Sequence, residues 1–268
     1  MIKPITHSIV TSIPEYEFTP EWIAIKTRAE AELFDLPSYT AQVACDVLIR
    51  RMIDNGIWNK LDLFFNFAYG EHDGLNLWDI SLINWKNPTG PLAINHGGLN
   101  YWPSGISGNN SDAFVNTTFN PTVGTNNYTL NDACRGGVVY IYDNTDNSFD
   151  GQVAALNRLF LSNGVTHRIN SDNLNLQADM SQNGFKMISR SDNTNVMLIN
   201  KNIQMDRIAA STSVASEQQL ILRSGAAGYG TSTISCYFLG GAISYAQSQV
   251  FRTSYNNFLQ RVGLTPVA

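Results

Sequence analysis

Charge is scarce in this sequence. Lys, Arg, Asp and Glu make up only 15% of its 268 residues, against roughly a quarter in an average soluble domain, and Asn, Ser and Thr fill the gap. With 17 basic and 22 acidic residues the net charge is -5, and the pI lies near 5.3. Nucleic-acid backbones are bound by clustered Lys and Arg, so a nucleic-acid partner is not expected. The adjacent pair Arg50-Arg51 reads as the solvated face of a helix. Cysteine is equally sparse. Cys45, Cys134 and Cys236 are far apart and lack CxxC or Cys/His spacing, which argues against a zinc site or a disulfide framework and for buried free thiols. No apolar run reaches the roughly 18 residues a bilayer span needs. The opening MIKPITHSIVTSIP places proline and polar residues where a signal peptide is continuously apolar. The expectation is a chain made in a cytoplasm without membrane insertion.

What is present falls into two textures. Thr19-Pro20-Glu21 supplies a cap, a first-turn proline and a first-turn acid, and Trp22, Ile25, Ala29 and Leu33 then recur at helical spacing. Pro37 ends that helix. Cys45, Leu48, Ile49, Met52 and Ile53 trace a second helical face, closed by Asn55-Gly56. Two short amphipathic helices bury little alone, so they are expected to pack on a neighbour.

From about residue 60 short apolar or alternating runs are broken by Gly, Asn, Asp and Ser clusters, the pattern of a sandwich or barrel. Candidate strands are 61–69, 81–85, 114–119, 137–142, 159–161, 167–169, 185–190, 196–199, 219–223 and 233–239. The clearest hairpin is FKMISR, then SDNTN, then VMLIN over 185–200. Residues 244–259 form a closing helix, with Val250, Phe251, Ser254, Tyr255, Phe258 and Leu259 on one face. The stretch ISGNNSDAFVNTTFNP (106–121) reads as turn chemistry leading into a short strand.

This order of pieces resembles the concanavalin A-like lectin/glucanase fold, in particular its laminin-G-like (LamG) domains. The resemblance rests on ISGNNSDAFVNTTFNP, on the hairpin FKMISRSDNTNVMLINKNIQ, and on the final strands and helix in QQLILRSGAAGYGTSTISCYFLGGAISYAQSQVFRTSYNNFLQRVGL. It implies a mainly β, antiparallel jelly-roll sandwich over 59–268, preceded by a two-helix attachment segment over 1–58 and closed by a C-terminal helix. The run LIRRMIDNGIWNKLDLFFNFAYGEHDGLNLWDISLINWKNP is similar to the lead-in of bacteriophage and prophage virion proteins. That similarity implies a tail, fibre or head-decoration component, with other virion proteins as partners, the virion as location and a homo-oligomeric state. A bacterial glycan-binding module outside any virion, or a divergent glycan hydrolase or lyase, are the alternatives.

Glycosidases of this fold need paired carboxylates, which laminarinase-type enzymes deliver as E-x-D-x-x-E; the motif is missing, and after Glu71 the only glutamate is Glu217. The Gln-Ile-His strand of alginate-lyase relatives is absent too. His7, His72, His96 and His167 have no nucleophile context, and neither a Walker loop nor a dinucleotide fingerprint appears. A non-enzymatic protein is therefore the expectation, with no catalytic residue and no cofactor beyond calcium. For calcium, Asp146, Ser148 and Asp150 in DNSFDG match the first half of an oxygen-rich loop, but Asn157 stands where a bidentate glutamate belongs. For glycans, aromatic rings stack on sugar faces beside hydrogen-bonding polar side chains. Trp85 in INWKNP, Tyr101 and Trp102 in NYWPSG and Tyr229 in AAGYGT are the candidate platforms, with Asp112 as a polar partner. The competing reading of each aromatic is a cap on the sandwich core.

Overall fold

A computed structural model describes residues 16–71, 77–145, 148–152, 157–172, 176–225 and 228–267. The chain begins with α1 (Pro20–Ala31) and α2 (Tyr39–Asp54). It then turns to strand, with β1 (Leu61–Asn66), β2 (Ile94–His96), β3 (Asn100–Trp102), β4 (Gly105–Ser107), β5 (Phe114–Asn116) and β6 (Ala133–Ile141). After these come β7 (Ser148–Gly151), β8 (Arg158–Phe160), β9 (Val165–Thr166), β10 (Gln177–Ala178), β11 (Gly184–Arg190) and β12 (Asn195–Asn200). The last part holds β13 (Ile203–Ile208), β14 (Leu220–Ile221), β15 (Arg223–Ser224), β16 (Gly228–Tyr229), β17 (Thr233–Gly240) and α3 (Tyr245–Arg261).

The strands build an antiparallel sandwich. An eight-stranded sheet runs β13-β12-β11-β6-β17-β4-β3, with β1 also pairing β17, and a five-stranded sheet runs β2-β5-β14-β7-β8. Alternation along each strand of the large sheet sends side chains two ways. Leu63, Phe65, Val139, Ile188, Leu198, Tyr237 and Leu239 meet Val115, Phe149 and Ile221 of the small sheet in one core. On the opposite face Phe64, Val138, Phe185, Met187 and Phe238 meet Trp22, Leu48, Met52, Phe251, Tyr255 and Phe258 of the helices in another. The molecule thus has three layers: helices, large sheet and small sheet. Burying one such side chain stabilises by about 1.5–3 kcal/mol, so the large sheet gains from both faces.

The helices begin where their local chemistry directs, but α1 stops at Ala31, well ahead of Pro37, and Leu33, expected on its apolar face, is exposed with φ 61°. The Thr19 hydroxyl accepts from Trp22 N at 3.2 Å, with Pro20 in the first turn of α1. Ser38 caps α2, and Ser244 with Gln247 forms a capping box on α3. Asp46 fastens α2 to the start of α1: its carboxylate accepts from Thr19 N at 2.7 Å, Thr19 Oγ1 at 2.6 Å, Tyr16 OH at 2.6 Å and Arg50 Nε at 2.7 Å. The neighbour that covers the apolar faces of α1 and α2 is this chain's own sheet together with α3.

Several expected strands differ from what forms: none covers 167–169, where only an isolated bridge at Arg168 forms, and that over 61–69 ends at Asn66. Over 81–85 the chain makes a 3-10 turn at Asp79–Leu82, because Ile80, Ile83 and Trp85 all enter the helix-side core and an alternating strand cannot send them all one way. The strand expected over 114–119 stops at Asn116, since Thr118 adopts φ 60° and donates its N–H to Asn116 Oδ1 at 2.9 Å. The strand expected over 219–223 is split at Leu222, where φ is 64°. The hairpin of β11 and β12 forms in register, Lys186 opposite Asn200 and Arg190 opposite Val196. Its turn is held by Asp192, whose carboxylate accepts from the Thr194 and Asn195 amides at 2.7 Å each.

Candidate functional site

Tyr101 and Trp102 come together at the free edge of the large sheet. β3 and β4 make a tight hairpin, Trp102 opposite Gly105, and the amides of Tyr69 and Gly70 donate to Pro103 O at 3.1 and 2.9 Å, docking the turn against the chain beyond β1. Gly105 takes φ 143°, and a Cβ there would lie 2.2 Å from Ile234 O. Only glycine lets this hairpin seat so close to β17.

The result is a cleft of about 140 Å³ lined by Phe67, Tyr69, Glu71, Trp78, Tyr101 and Trp102 among others. Trp102 is 52% exposed, and its Nε1 donates to Ser107 Oγ at 3.2 Å, which fixes the indole. Trp78 lies against Tyr101, ring centroids 3.6 Å apart. The hydroxyls of Tyr69 and Tyr101 are buried without a hydrogen-bond partner of ordinary geometry among the described residues. Burial, reinforced by the negative charge of Asp79, pushes the Tyr101 phenol well above its ordinary pKa; burial does the same for Tyr69. Both hydroxyls stay protonated; that of Tyr69 faces the helix-side core beside Ser81 and Asn66, and that of Tyr101 faces Asn95. Glu71 accepts from Ser38 N at 2.9 Å and from the Ser38 hydroxyl, so its carboxylate sits at the N-terminus of α2, where the helix dipole favours it.

The other sequence candidates lie elsewhere. Trp85 is 1% exposed, edge-on to Trp22 and tilted against Phe64 at 5.6 and 5.2 Å, with its backbone N–H donating to Phe64 O at 2.9 Å. It is a core residue and no stacking platform, a correction forced by α1 covering that loop. Asp112 is exposed in the turn before β5, accepting from Asn109 Nδ2 at 2.7 Å, while Asn109 Oδ1 takes the amides of Ser111, Asp112 and Ala113. The polar residues of 106–121 therefore build the turn. Tyr229 belongs to a separate cluster, with the Arg223 guanidinium 5.2 Å from its ring and 4.6 Å from that of Phe114, on which His96 stacks at 4.4 Å.

The calcium reading is also corrected. Asp146 falls outside the described residues. Ser148 and Asp150 belong to β7 and are buried. Asp150 points between the sheets, where Oδ2 accepts from Tyr237 OH at 2.8 Å and Gln219 Nε2 at 3.1 Å and lies 3.6 Å from Arg135 Nη1. Burial raises its pKa and the Arg135 charge opposes that rise. An interior carboxylate paired with an arginine is out of reach of a surface cation. Among the described residues no group of three or more His, Cys, Asp or Glu could hold a metal ion.

The reading from sequence missed Tyr69, Glu71 and Trp78. Trp78 stands in LNLWDI and Tyr69 in FAYGE, so both carried a visible aromatic, but nothing local indicated that the hairpin of β3 and β4 would fold back onto them.

No family model matches this chain, and no curated protein matches it. Among solved structures it is similar to domain 4 of AbnA, a GH43 extracellular arabinanase from Geobacillus stearothermophilus, in complex with arabinotriose. That match has a TM-score of 0.45 and 11% identity, and covers 72% of this chain and 98% of that one. It is also similar to Trypanosoma rangeli sialidase solved with a difluorinated nononic acid, at TM-score 0.40 and 8% identity, over 82% of this chain and 39% of the sialidase. The same sialidase in complex with 2,3-difluorosialic acid gives a TM-score of 0.39 at 8% identity, over the same shares of the two chains. These neighbours belong to glycan-processing enzymes, against the expectation of a non-enzymatic chain, and that expectation is withdrawn.

Proposed function

We propose that this sandwich binds glycans through the cleft of Tyr69, Trp78, Tyr101 and Trp102. The observation that carries the reading is a half-exposed indole, anchored through its Nε1 and sharing one cleft with a second indole, the Tyr101 ring and the Glu71 carboxylate. A sugar ring presents an apolar face and a rim of hydroxyls, and it needs both kinds of surface. The cleft accommodates a single terminal residue or substituent of a glycan. A glycan array read with the whole protein tests this, with Trp102→Ala as the comparison. Binding that disappears in the variant while the melting temperature stays the same supports the site; binding indifferent to the change removes it.

The setting we propose is a bacteriophage particle, as a tail, fibre or decoration component contacting host glycans. The support is the order of pieces, two helices ahead of a sandwich closed by a helix, which resembles phage virion proteins. Mass spectrometry of purified particles decides this part, and absence of the protein from them refutes it.

A further inference from the structure

The cleft lining is uniform in electrostatic character. Its walls carry the π-systems of Tyr69, Trp78, Tyr101 and Trp102 and the carboxylate of Glu71, and among the described residues no Lys or Arg lines it. An ionised carboxylate has about four lone-pair sites; among the described residues Ser38 donates two hydrogen bonds to Glu71, which leaves acceptor capacity there. More negative charge stands close by. The charge of Asp79 is felt by the Tyr101 phenol, and Asp79 is in turn within reach of Asp35. Aromatic rings attract cations through their negative faces, by about 0.5–1 kcal/mol when exposed and about 2 kcal/mol or more when desolvated. A carboxylate in the same wall adds to that attraction and repels a carboxylate or phosphate on a ligand.

From these observations we infer that the cleft selects a positively charged ammonium group, carried on a glycan as an amino sugar or as a choline-type substituent, over its neutral or acidic counterparts. The inference rests on the glycan-binding reading and narrows it to one chemical class. The aromatic walls supply the attraction, and Glu71 neutralises the charge.

Titration of the whole protein at neutral pH, followed by tryptophan fluorescence and by the indole N–H resonances, tests the inference with matched pairs. Choline is set against its uncharged isostere 3,3-dimethyl-1-butanol, and glucosamine against glucose and glucuronate. Each ammonium ligand should bind about tenfold more tightly than its neutral partner, and whichever pair shows the larger ratio identifies the source. Glu71→Gln should shrink that ratio. Because Glu71 also holds Ser38, the N-cap of α2, Trp102→Leu serves as the second variant: it keeps apolar bulk, removes the exposed π-system of the wall, and should likewise shrink the ratio between charged and neutral ligands. Equal binding of each pair by the unmodified protein, or preference for glucuronate, overturns the inference while leaving a Trp102-dependent glycan site intact. Absence of binding by every one of these probes and by the glycan array overturns both.

Discussion

Lys186 is fully buried on β11, where its ammonium donates to Ser181 O at 3.2 Å and to Asn200 Oδ1 on the facing strand. Both of these partners are neutral. Burial, with a smaller contribution from the charge of Lys201, lowers its pKa from 10.5 to about 7, while Asp179 opposes the shift. The folded protein therefore releases this proton near neutrality, whereas the unfolded chain keeps it until the ordinary lysine range. Between those two values the unfolded state binds more protons, so unfolding free energy rises with pH. The penalty for burying the charge is fully present below the folded pKa and is relieved as pH climbs above it. At about 1.36 kcal/mol per pH unit, raising the pH from about 7 to about 8.5 should stabilise the protein by about 1.5 kcal/mol. Above that window the buried thiols Cys134 and Cys236, whose pKa values burial raises, act in the opposite sense. Urea unfolding across that pH interval measures the effect, with Lys186→Met as control, since it keeps the stem and removes the titration. A wild-type slope and a flat variant are the expected pair. Parallel curves would falsify the assignment.

The interior ion pair makes a second test. Asp150→Asn leaves the Arg135 guanidinium buried without its carboxylate and should cost about 3–5 kcal/mol by denaturant unfolding, whereas the double variant combining Arg135→Met with Asp150→Leu should recover most of that loss. A single-variant cost below about 1 kcal/mol would contradict the burial argument. Phe251 of α3 packs on Phe64, Phe185 and Phe238 of the large sheet, with ring centroids 6.0, 5.6 and 4.7 Å away. Phe251→Ala should destabilise by about 3–5 kcal/mol and lower the midpoint of helix and sheet signals together; separate midpoints would mean that the helical layer unfolds independently.

Much of the architecture was legible locally. Thr19-Pro20 and Asn55-Gly56 bracket the first two helices because capping is settled within one turn of chain, and the hairpin of β11 and β12 is readable because its turn is fixed by one aspartate, Asp192, and its arms alternate. The site was legible only in part. Tyr101 and Trp102 stand beside a proline in a polar loop, and they do line the cleft. Trp85 sits in a loop of nearly the same composition and is buried, because α1 brings Trp22 over it. Local sequence cannot distinguish the two, since what differs is the partner and not the residue. Asp150 illustrates the same limit: its oxygen-rich surroundings in DNSFDG suggest a surface ion loop, yet β7 carries it into the interior opposite Arg135.

The sequence alone therefore determined the three helices, the hairpin of β11 and β12 and the antiparallel sandwich, because these follow from periodicity, caps and turn residues acting over a few positions. Tertiary structure decided which aromatics face solvent and which residues share a cleft. Glu71 and Trp78 meet Trp102 only because β3 and β4 join the sheet at β17, across more than a hundred residues of chain, and burial depends on what those distant elements cover.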